Sequence, residues 1–167
     1  MSDTMTLVLN HKEINRKITR MAYEIYERNN EEQEIIFAGI TGMGLILADL
    51  LATSLNAISG IQTKAIEVQL DKKSVAEAPI TLSEHTSVEG KVVIVVDDVL
   101  NTGKTLVYAL FPFLQDHAKK IEVAVLVNRS HTRYPVTPDY TGLELATTLS
   151  EHITVDLSKD NFTAHLH

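Results

Sequence analysis

Short apolar runs and stretches of alternating apolar and polar residues recur along the chain and predict its strands. They lie at residues 34–40, 62–70, 92–96, 121–127, 153–157 and 162–166. The run 92–96 consists of five consecutive β-branched residues, which is typical of a strand buried on both faces of a parallel sheet. Residues 162–166 alternate strictly, and we expect them to form a final edge strand.

Helical spacing of apolar residues separates these strands and predicts three helices. Residues 11–29 predict an amphipathic helix with one apolar face and charged residues between the apolar positions. Asn10 stands at its N-cap position. Residues 45–55 predict a buried helix. The third helix is expected from Leu106 with an apolar stripe that includes Phe113 and Leu114, although Pro112 should kink or shorten it. Alternation of strands and helices predicts an α/β fold with a central, mostly parallel sheet and flanking helices.

Composition narrows the class of protein. The 167 residues suffice for one domain with a proper core, and there is no cysteine for a disulfide or thiolate metal site. The formal charge of −7 argues against nucleic acid as an obligatory partner. Residues 1–10 carry no leader pattern, and no apolar stretch approaches the ~20 residues that span a bilayer. We therefore expect a cytoplasmic protein without a membrane partner.

Two carboxylates and a small polar loop follow the strand 92–96 directly. Asp97 and Asp98 stand at its end, and residues 101–105 read Asn-Thr-Gly-Lys-Thr before the third helix. The N–H groups of such a loop and of a helix N-terminus form an anion site, and carboxylates accept hydrogen bonds from sugar hydroxyls. Neighbouring strand residues point to opposite faces, so both carboxylates reach one ligand only if the chain already turns there. The layout predicts a site for a phosphorylated sugar.

Two other interpretations of this stretch are weaker. Gly103-Lys104-Thr105 matches the end of a Walker A loop, but the position that needs the first glycine of that motif is Asp98. An ordinary acidic turn after a core strand is also disfavoured. Two adjacent unpaired carboxylates at a buried strand end are costly without a partner.

The stretch 92–105 resembles the phosphoribosyl pyrophosphate (PRPP) signature of type I phosphoribosyltransferases. Residues 17–29, 38–44, 124–131 and 138–142 resemble one branch of that family, the pyrimidine-operon attenuator proteins that are also uracil phosphoribosyltransferases. The likeness spans nearly the whole chain. It implies a single-domain type I phosphoribosyltransferase fold over residues 1–167, a homodimer, and conversion of uracil and PRPP to UMP and pyrophosphate.

The resemblance also implies a role for each matching position. Asp97 and Asp98 would be the catalytic pair, which holds the ribose 2′- and 3′-hydroxyls and favours positive charge on the ring. The substrate-binding positions are Gly42, Met43 and Gly44 for pyrophosphate, then Val99, Leu100, Asn101, Thr102, Gly103, Lys104 and Thr105 in the signature, and Arg129 and Ile153 near the ligand and the base edge. Mg²⁺ is expected to be bound mainly through PRPP, without a separate protein metal site.

Two regions depart from the family pattern. Met43 stands where an arginine is usual, which removes a charge-assisted donor to pyrophosphate. Residues 71–90 correspond to a longer hood over PRPP in relatives. We expect this short hood segment to be a covering loop, with an inert β-hairpin as the rival interpretation. No residue in it, including Lys72 and Lys73, receives a catalytic role.

Three other functions stay open. An RNA-binding regulator of pyrimidine genes is favoured by Thr19 and Arg20, which resemble an RNA-contacting pair in the family. It is disfavoured by the acidic charge and by the loss of basic residues at Thr132, Thr137 and Leu143. A protein that binds PRPP or a nucleotide with weak or no turnover would fit Met43 and the short hood. A purine phosphoribosyltransferase is the third open function, because the spacing of residues along the sequence does not define the pocket that selects the base.

Overall fold

The computed structural model describes residues 5–76 and 79–167. Residues 1–4, in the segment that carries no leader pattern, and residues 77–78, in the expected hood, lie outside the described residues. None of the helices in the described ranges combines the length and the hydropathy that a membrane-spanning segment requires.

Nine strands and three helices follow one another along the described chain. The strands are β1 (Thr6–Leu9), β2 (Glu34–Ile40), β3 (Gln62–Gln69), β4 (Thr81–Leu82), β5 (Val92–Leu100), β6 (Lys120–Asn128), β7 (Tyr140–Glu144), β8 (Ile153–Asp156) and β9 (Thr163–Leu166). The helices are α1 (His11–Asn29), α2 (Met43–Ile58) and α3 (Lys104–Gln115).

A six-stranded sheet in the order β4-β3-β2-β5-β6-β7 forms the centre of the molecule. Its strands run parallel except for β4, which pairs antiparallel with the end of β3. Helices α1 and α2 pack on one face, and α3 packs on the other. The predicted α/β fold with a central, mostly parallel sheet is confirmed. Because the strands are parallel, the carboxyl ends of β2, β3, β5 and β6 meet at one edge.

Helix α1 has the bounds that its sequence predicts. The Asn10 side chain accepts a hydrogen bond from the Glu13 N–H, and the Glu13 carboxylate accepts one from the Asn10 N–H, which together form a capping box. Ile14, Met21 and Ile25 on its apolar face are fully buried. Local chemistry and amphipathic spacing therefore suffice to define this helix.

The ends of the chain form a second sheet that differs from the expectation. This three-stranded antiparallel sheet has the order β1-β9-β8. Strand β9 is therefore the middle strand, and the prediction that residues 162–166 form an edge strand is wrong. An alternating pattern reports which face of a strand is buried, but it does not report how many neighbours pair with it. The missing neighbour was β1, which the sequence pattern did not predict.

Three further elements differ in extent from the sequence-based expectation. Strand β7 begins at Tyr140 within the turn-rich segment 135–142, and the sequence pattern does not predict it. Helix α3 begins two residues earlier than expected and continues for three residues past Pro112, and Leu114 is 61% exposed rather than part of the buried stripe. Strand β5 runs on to Leu100 and so includes both aspartates.

Candidate active site at the carboxyl ends of the parallel strands

A cavity of about 190 Å³ lies at the carboxyl end of β5. Its walls come from the segment after β3, the end of β5, the loop before α3 with the first turn of that helix, and the start of β8. The lining residues are Lys72, Asp97, Asp98, Val99, Leu100, Asn101, Thr102, Thr105 and Ile153. Eight of these nine were candidate site residues from the sequence, and Lys72 was not.

The two aspartates share one ammonium group. Lys72 Nζ lies 3.1 Å from Asp97 Oδ1 and 3.8 Å from Asp98 Oδ1. Both aspartates belong to strand β5, so the expected turn at this point is wrong. The carboxylates still converge because the Asp97 side chain folds forward and accepts a hydrogen bond of 2.9 Å from the Asp98 N–H. The pair can therefore address one ligand without a break in the strand.

Burial sets the protonation of Asp97, which is only 3% exposed. Its pKa rises from 3.8 to about 7, first because burial penalises the charged form and then because Asp98 lies beside it. The ammonium of Lys72 opposes the rise. This carboxyl group therefore changes charge near neutral pH and gains from any cation that approaches it.

The loop between β5 and α3 is held in a conformation that suits an anion. Gly103 has φ +92°, and a Cβ at this position would lie 2.5 Å from Val136 Cγ1, so the backbone and the space both favour glycine. The Thr102 carbonyl accepts hydrogen bonds from the N–H groups of Arg133 and Tyr134. Helix α3 then begins at Lys104, and the N–H groups of its first turn form the positive end of the helix.

The turn after β2 packs directly against the aspartates. A Cβ on Gly44 would lie 2.8 Å from the Val96 carbonyl oxygen and 3.3 Å from Asp97 Oδ1, so a glycine permits the close approach. The Met43 side chain packs against the core, and its sulfur accepts a hydrogen bond from the Leu157 N–H. Residues 42–44 therefore present backbone rather than a side-chain charge to this edge of the sheet.

Arg129 supports the cavity from behind. It is 7% exposed and donates to Asn101 Oδ1 at 2.7 Å and to Thr147 Oγ1 at 2.9 Å. Its remaining donor binds the carbonyl oxygens of Thr148 and Glu151. With its guanidinium held in this way, Arg129 fixes the side chain of Asn101, which lines the cavity, while Arg129 itself is not among the lining residues.

Lys72 is the site residue that sequence reasoning missed. It follows β3 by three residues, and β3 ends at the same sheet edge as β5. A signal was present, because a basic pair directly after a predicted parallel strand belongs at the edge where ligands bind. The sequence did not reveal that only one strand, β2, separates β3 from β5 in the sheet.

The residues of α1 that resemble an RNA-contacting pair lie outside this cavity. Thr19 and Arg20 line a shallow groove along the helix together with Lys12 and Arg16. Arg20 donates to the carbonyl oxygens of Thr141 and Gly142 and pairs with Glu24. Arg20 thus ties α1 to β7, and its guanidinium is largely occupied.

Comparisons with known proteins agree with this geometry. The model of the phosphoribosyl transferase domain matches residues 5–160. The chain is 36% identical over 163 residues to the bifunctional protein PyrR of Halalkalibacterium halodurans, covering 92% of this chain and 91% of that protein. It is 35% identical over 158 residues to the bifunctional protein PyrR of Clostridium acetobutylicum, covering 90% and 89%.

Solved structures share the fold at low sequence identity. The hypoxanthine phosphoribosyltransferase of Trypanosoma cruzi superposes with a TM-score of 0.73 at 16% identity, over 84% of this chain and 81% of that one. A hypoxanthine-guanine phosphoribosyltransferase of Bacillus anthracis gives a TM-score of 0.70 at 17% identity, over 86% and 84%. The match over nearly the whole chain and the identity to the curated relatives confirm the resemblance seen in the signature. The chain belongs to the phosphoribosyltransferase family of pentosyltransferase enzymes, in the branch of the PyrR proteins.

Proposed function

We propose that the protein transfers the phosphoribosyl group of PRPP to uracil, which gives UMP and pyrophosphate. One observation carries the proposal. An acidic pair suited to a sugar diol and a hydroxyl-bearing loop at a helix N-terminus line the same cavity. The base is taken from the resemblance of the chain to uracil phosphoribosyltransferases, and the relatives named PyrR support it.

The 5′-phosphate would lie on the loop 101–105. The hydroxyls of Thr102 and Thr105 and the N–H groups of the loop and of the first turn of α3 supply neutral donors there. The ribose 2′- and 3′-hydroxyls would donate to Asp97 and Asp98. Pyrophosphate would lie on the backbone of Gly42, Met43 and Gly44, and the base edge would meet the backbone near Ile153.

The reaction exchanges one bond at C1 of the ribose for another. The bond from C1 to the pyrophosphate oxygen breaks, and a bond from C1 to the attacking nitrogen of the base forms, so that the base displaces pyrophosphate. Charge on the ring becomes positive as the leaving group departs, as in glycoside chemistry. The carboxylates of Asp97 and Asp98 favour that charge, and the protein otherwise acts by positioning its two substrates.

A magnesium ion that accompanies PRPP fits these residues. Among the described residues, no cluster of three or more acidic or histidine side chains could hold a metal by itself. Two convergent carboxylates are available, and the buried one gains from a nearby cation. Asp97 and Asp98, with phosphate, ribose and water oxygens, would hold Mg²⁺, which supplies charge neutralisation for the departing pyrophosphate.

The experiment incubates the protein with PRPP and Mg²⁺ and, in turn, with uracil, hypoxanthine, guanine and adenine. We expect UMP with uracil, and we expect Asp98→Asn and Thr105→Ala to lower the PRPP affinity at least tenfold in calorimetry. The exposed Lys73→Met variant serves as a control that leaves both readouts unchanged. IMP or GMP in place of UMP would identify a purine transferase. PRPP binding without product would identify a sensor, and unchanged affinity in both variants would refute the site.

A further inference from the structure

The cation bound to the acidic pair is part of the protein itself. Lys72 Nζ occupies the position between the two aspartates, at 3.1 and 3.4 Å from the two oxygens of Asp97 and 3.8 Å from Asp98. In the proposed function, ribose hydroxyls and the cation that accompanies PRPP take this place. Lys72 and the substrate therefore compete for the same carboxylates.

The size of the cavity supports this competition. About 190 Å³ is small beside the roughly 300–1,000 Å³ that small-molecule sites usually offer. The Lys72 side chain is one wall of the cavity, and it is 44% exposed and carried by a residue outside the helices and strands. Withdrawal of this side chain enlarges the cavity and frees the pair, whereas Asp97, Val99 and Leu100 in the same lining are buried residues of strand β5.

The charges of the site determine where the released ammonium goes. Among the residues that line the cavity in the described chain, Lys72 is the one with a positive charge. The turn 42–44 offers backbone alone, since the Met43 side chain packs against the core. A Cβ on Gly44 would lie 3.3 Å from Asp97 Oδ1, the same oxygen that accepts a hydrogen bond from Lys72. An ammonium that leaves the aspartates thus lies next to the turn proposed for pyrophosphate.

We propose that Lys72 is a substrate-binding residue that pairs with Asp97 and Asp98 until PRPP binds and then moves onto the pyrophosphate oxygens at C1. This inference rests on the proposed function. Lys72 then supplies the charge that Met43 lacks, and it discriminates between ligands. When PRPP displaces Lys72 from the aspartates, its pyrophosphate forms a new ion pair with the released ammonium. Ribose 5-phosphate displaces Lys72 in the same way, but it has no pyrophosphate with which the ammonium can pair.

The experiment measures the ratio of the affinities for PRPP and ribose 5-phosphate by calorimetry at pH 8. We expect Lys72→Met, which keeps the length of the apolar stem and removes the ammonium group, to weaken the binding of PRPP and to strengthen the binding of ribose 5-phosphate. The ratio then falls at least tenfold, as the loss of one charge-assisted hydrogen bond predicts. Lys72→Arg keeps the charge and leaves the ratio within about threefold of the original value.

Lys73→Met is the matched control, because the neighbouring residue is exposed and lies outside the cavity lining. It removes the same charge from the same segment, and it leaves the ratio unchanged. A ratio that falls less than tenfold in Lys72→Met, or falls equally in Lys73→Met, would overturn the role of Lys72 while the proposed function stands. A starting protein that binds neither ligand would overturn the proposed function, and this inference with it.

Discussion

Two buried carboxylates lie at opposite ends of the parallel sheet, and different parts of the fold hold them. Glu122, near the start of β6, is 5% exposed and accepts hydrogen bonds of 2.9 Å from both Asn29 Nδ2 and the Tyr140 hydroxyl. Asn29 ends α1, and Tyr140 begins β7. Asp97, near the end of β5, receives its side-chain hydrogen bond from Lys72, which belongs to neither a helix nor a strand.

The difference separates a carboxylate that supports the fold from one that is available to a ligand. The donors of Glu122 are fixed by regular structure, and the Arg28 guanidinium lies 5.2 Å above the Tyr140 ring. Burial and the hydrogen bond to Glu122 raise the pKa of Tyr140 well above its usual value, so this hydroxyl stays a donor. The donor of Asp97 can leave without disturbing a helix or strand. Burial alone therefore does not separate the two carboxylates, whereas the part of the fold that carries their hydrogen-bond donors does.

The largest effect is expected from Glu122→Ala. The substitution leaves the Asn29 amide and the Tyr140 hydroxyl without their shared acceptor in a buried site, which should lower the free energy of unfolding by about 3 kcal/mol. Urea denaturation at pH 7 measures the loss, and Glu122→Gln, which keeps an acceptor oxygen, should lose less. PRPP affinity of the folded variant should stay within about twofold. A loss of stability below ~1 kcal/mol, or a weakened PRPP affinity, would show that the two carboxylates are not distinct.

Asp97→Asn should have the opposite profile. Loss of the charged acceptor in the cavity should weaken PRPP about a hundredfold, equivalent to ~2.7 kcal/mol of binding free energy. The fold should not be weakened at pH 8. The raised pKa means that the folded protein binds a proton more tightly than the unfolded chain between pH 3.8 and about 7. The stabilisation of the fold by the Asp97 carboxyl group is therefore fully present below pH 3.8 and is lost as the pH rises to about 7.

Calorimetry and urea denaturation at pH 5 and pH 8 check both parts of the Asp97→Asn prediction. An asparagine resembles the neutral carboxyl group, so the variant should gain stability over the original protein at pH 8 and little at pH 5. The gain should be on the order of 1 kcal/mol, since loss of the Lys72 pair offsets part of it. A variant that is less stable at pH 8 would assign Asp97 to the fold, as for Glu122.

Elements that depend on local chemistry could be predicted from the sequence. Helix α1 has its predicted bounds because the capping box of Asn10 and Glu13 and the apolar spacing both act within the helix. The strand run 92–96 and the acidic pair after it likewise report burial and charge at one place in the chain. The sequence alone therefore predicts that the aspartates and the loop 101–105 share one site, and residues of both line the same cavity.

Contacts between distant parts of the chain could not be predicted in the same way. The pairing of β1 with β9 joins Thr6 to Leu166, and no local pattern encodes such a partner. The contact of Lys72 with Asp97 depends on the order of the strands rather than on spacing. Arg129 was placed near the ligand by family resemblance, but the sequence did not reveal that Asn101, Thr147, Thr148 and Glu151 hold its guanidinium.

The smallest effect that separates the two carboxylates is a dependence of PRPP binding on pH. With a pKa of about 7 in the ligand-free protein, Asp97 is largely protonated at pH 6 and largely ionised at pH 8. Because the sugar hydroxyls and the accompanying cation need the ionised form, PRPP affinity should rise with pH, by up to about tenfold over this range for one linked proton.

Calorimetry from pH 6 to pH 8 measures this rise in PRPP affinity. The contribution from titration of the PRPP phosphates is followed separately by ³¹P NMR and is subtracted from the measured pH dependence. Glu122→Gln should keep the full pH dependence, because its substitution lies at the other end of the sheet. Lys72→Met should shift the rise to higher pH, since the ammonium opposes the protonation of Asp97. A flat profile in the original protein would mean that Asp97 is already ionised at pH 6, and its burial would then have no bearing on ligand binding.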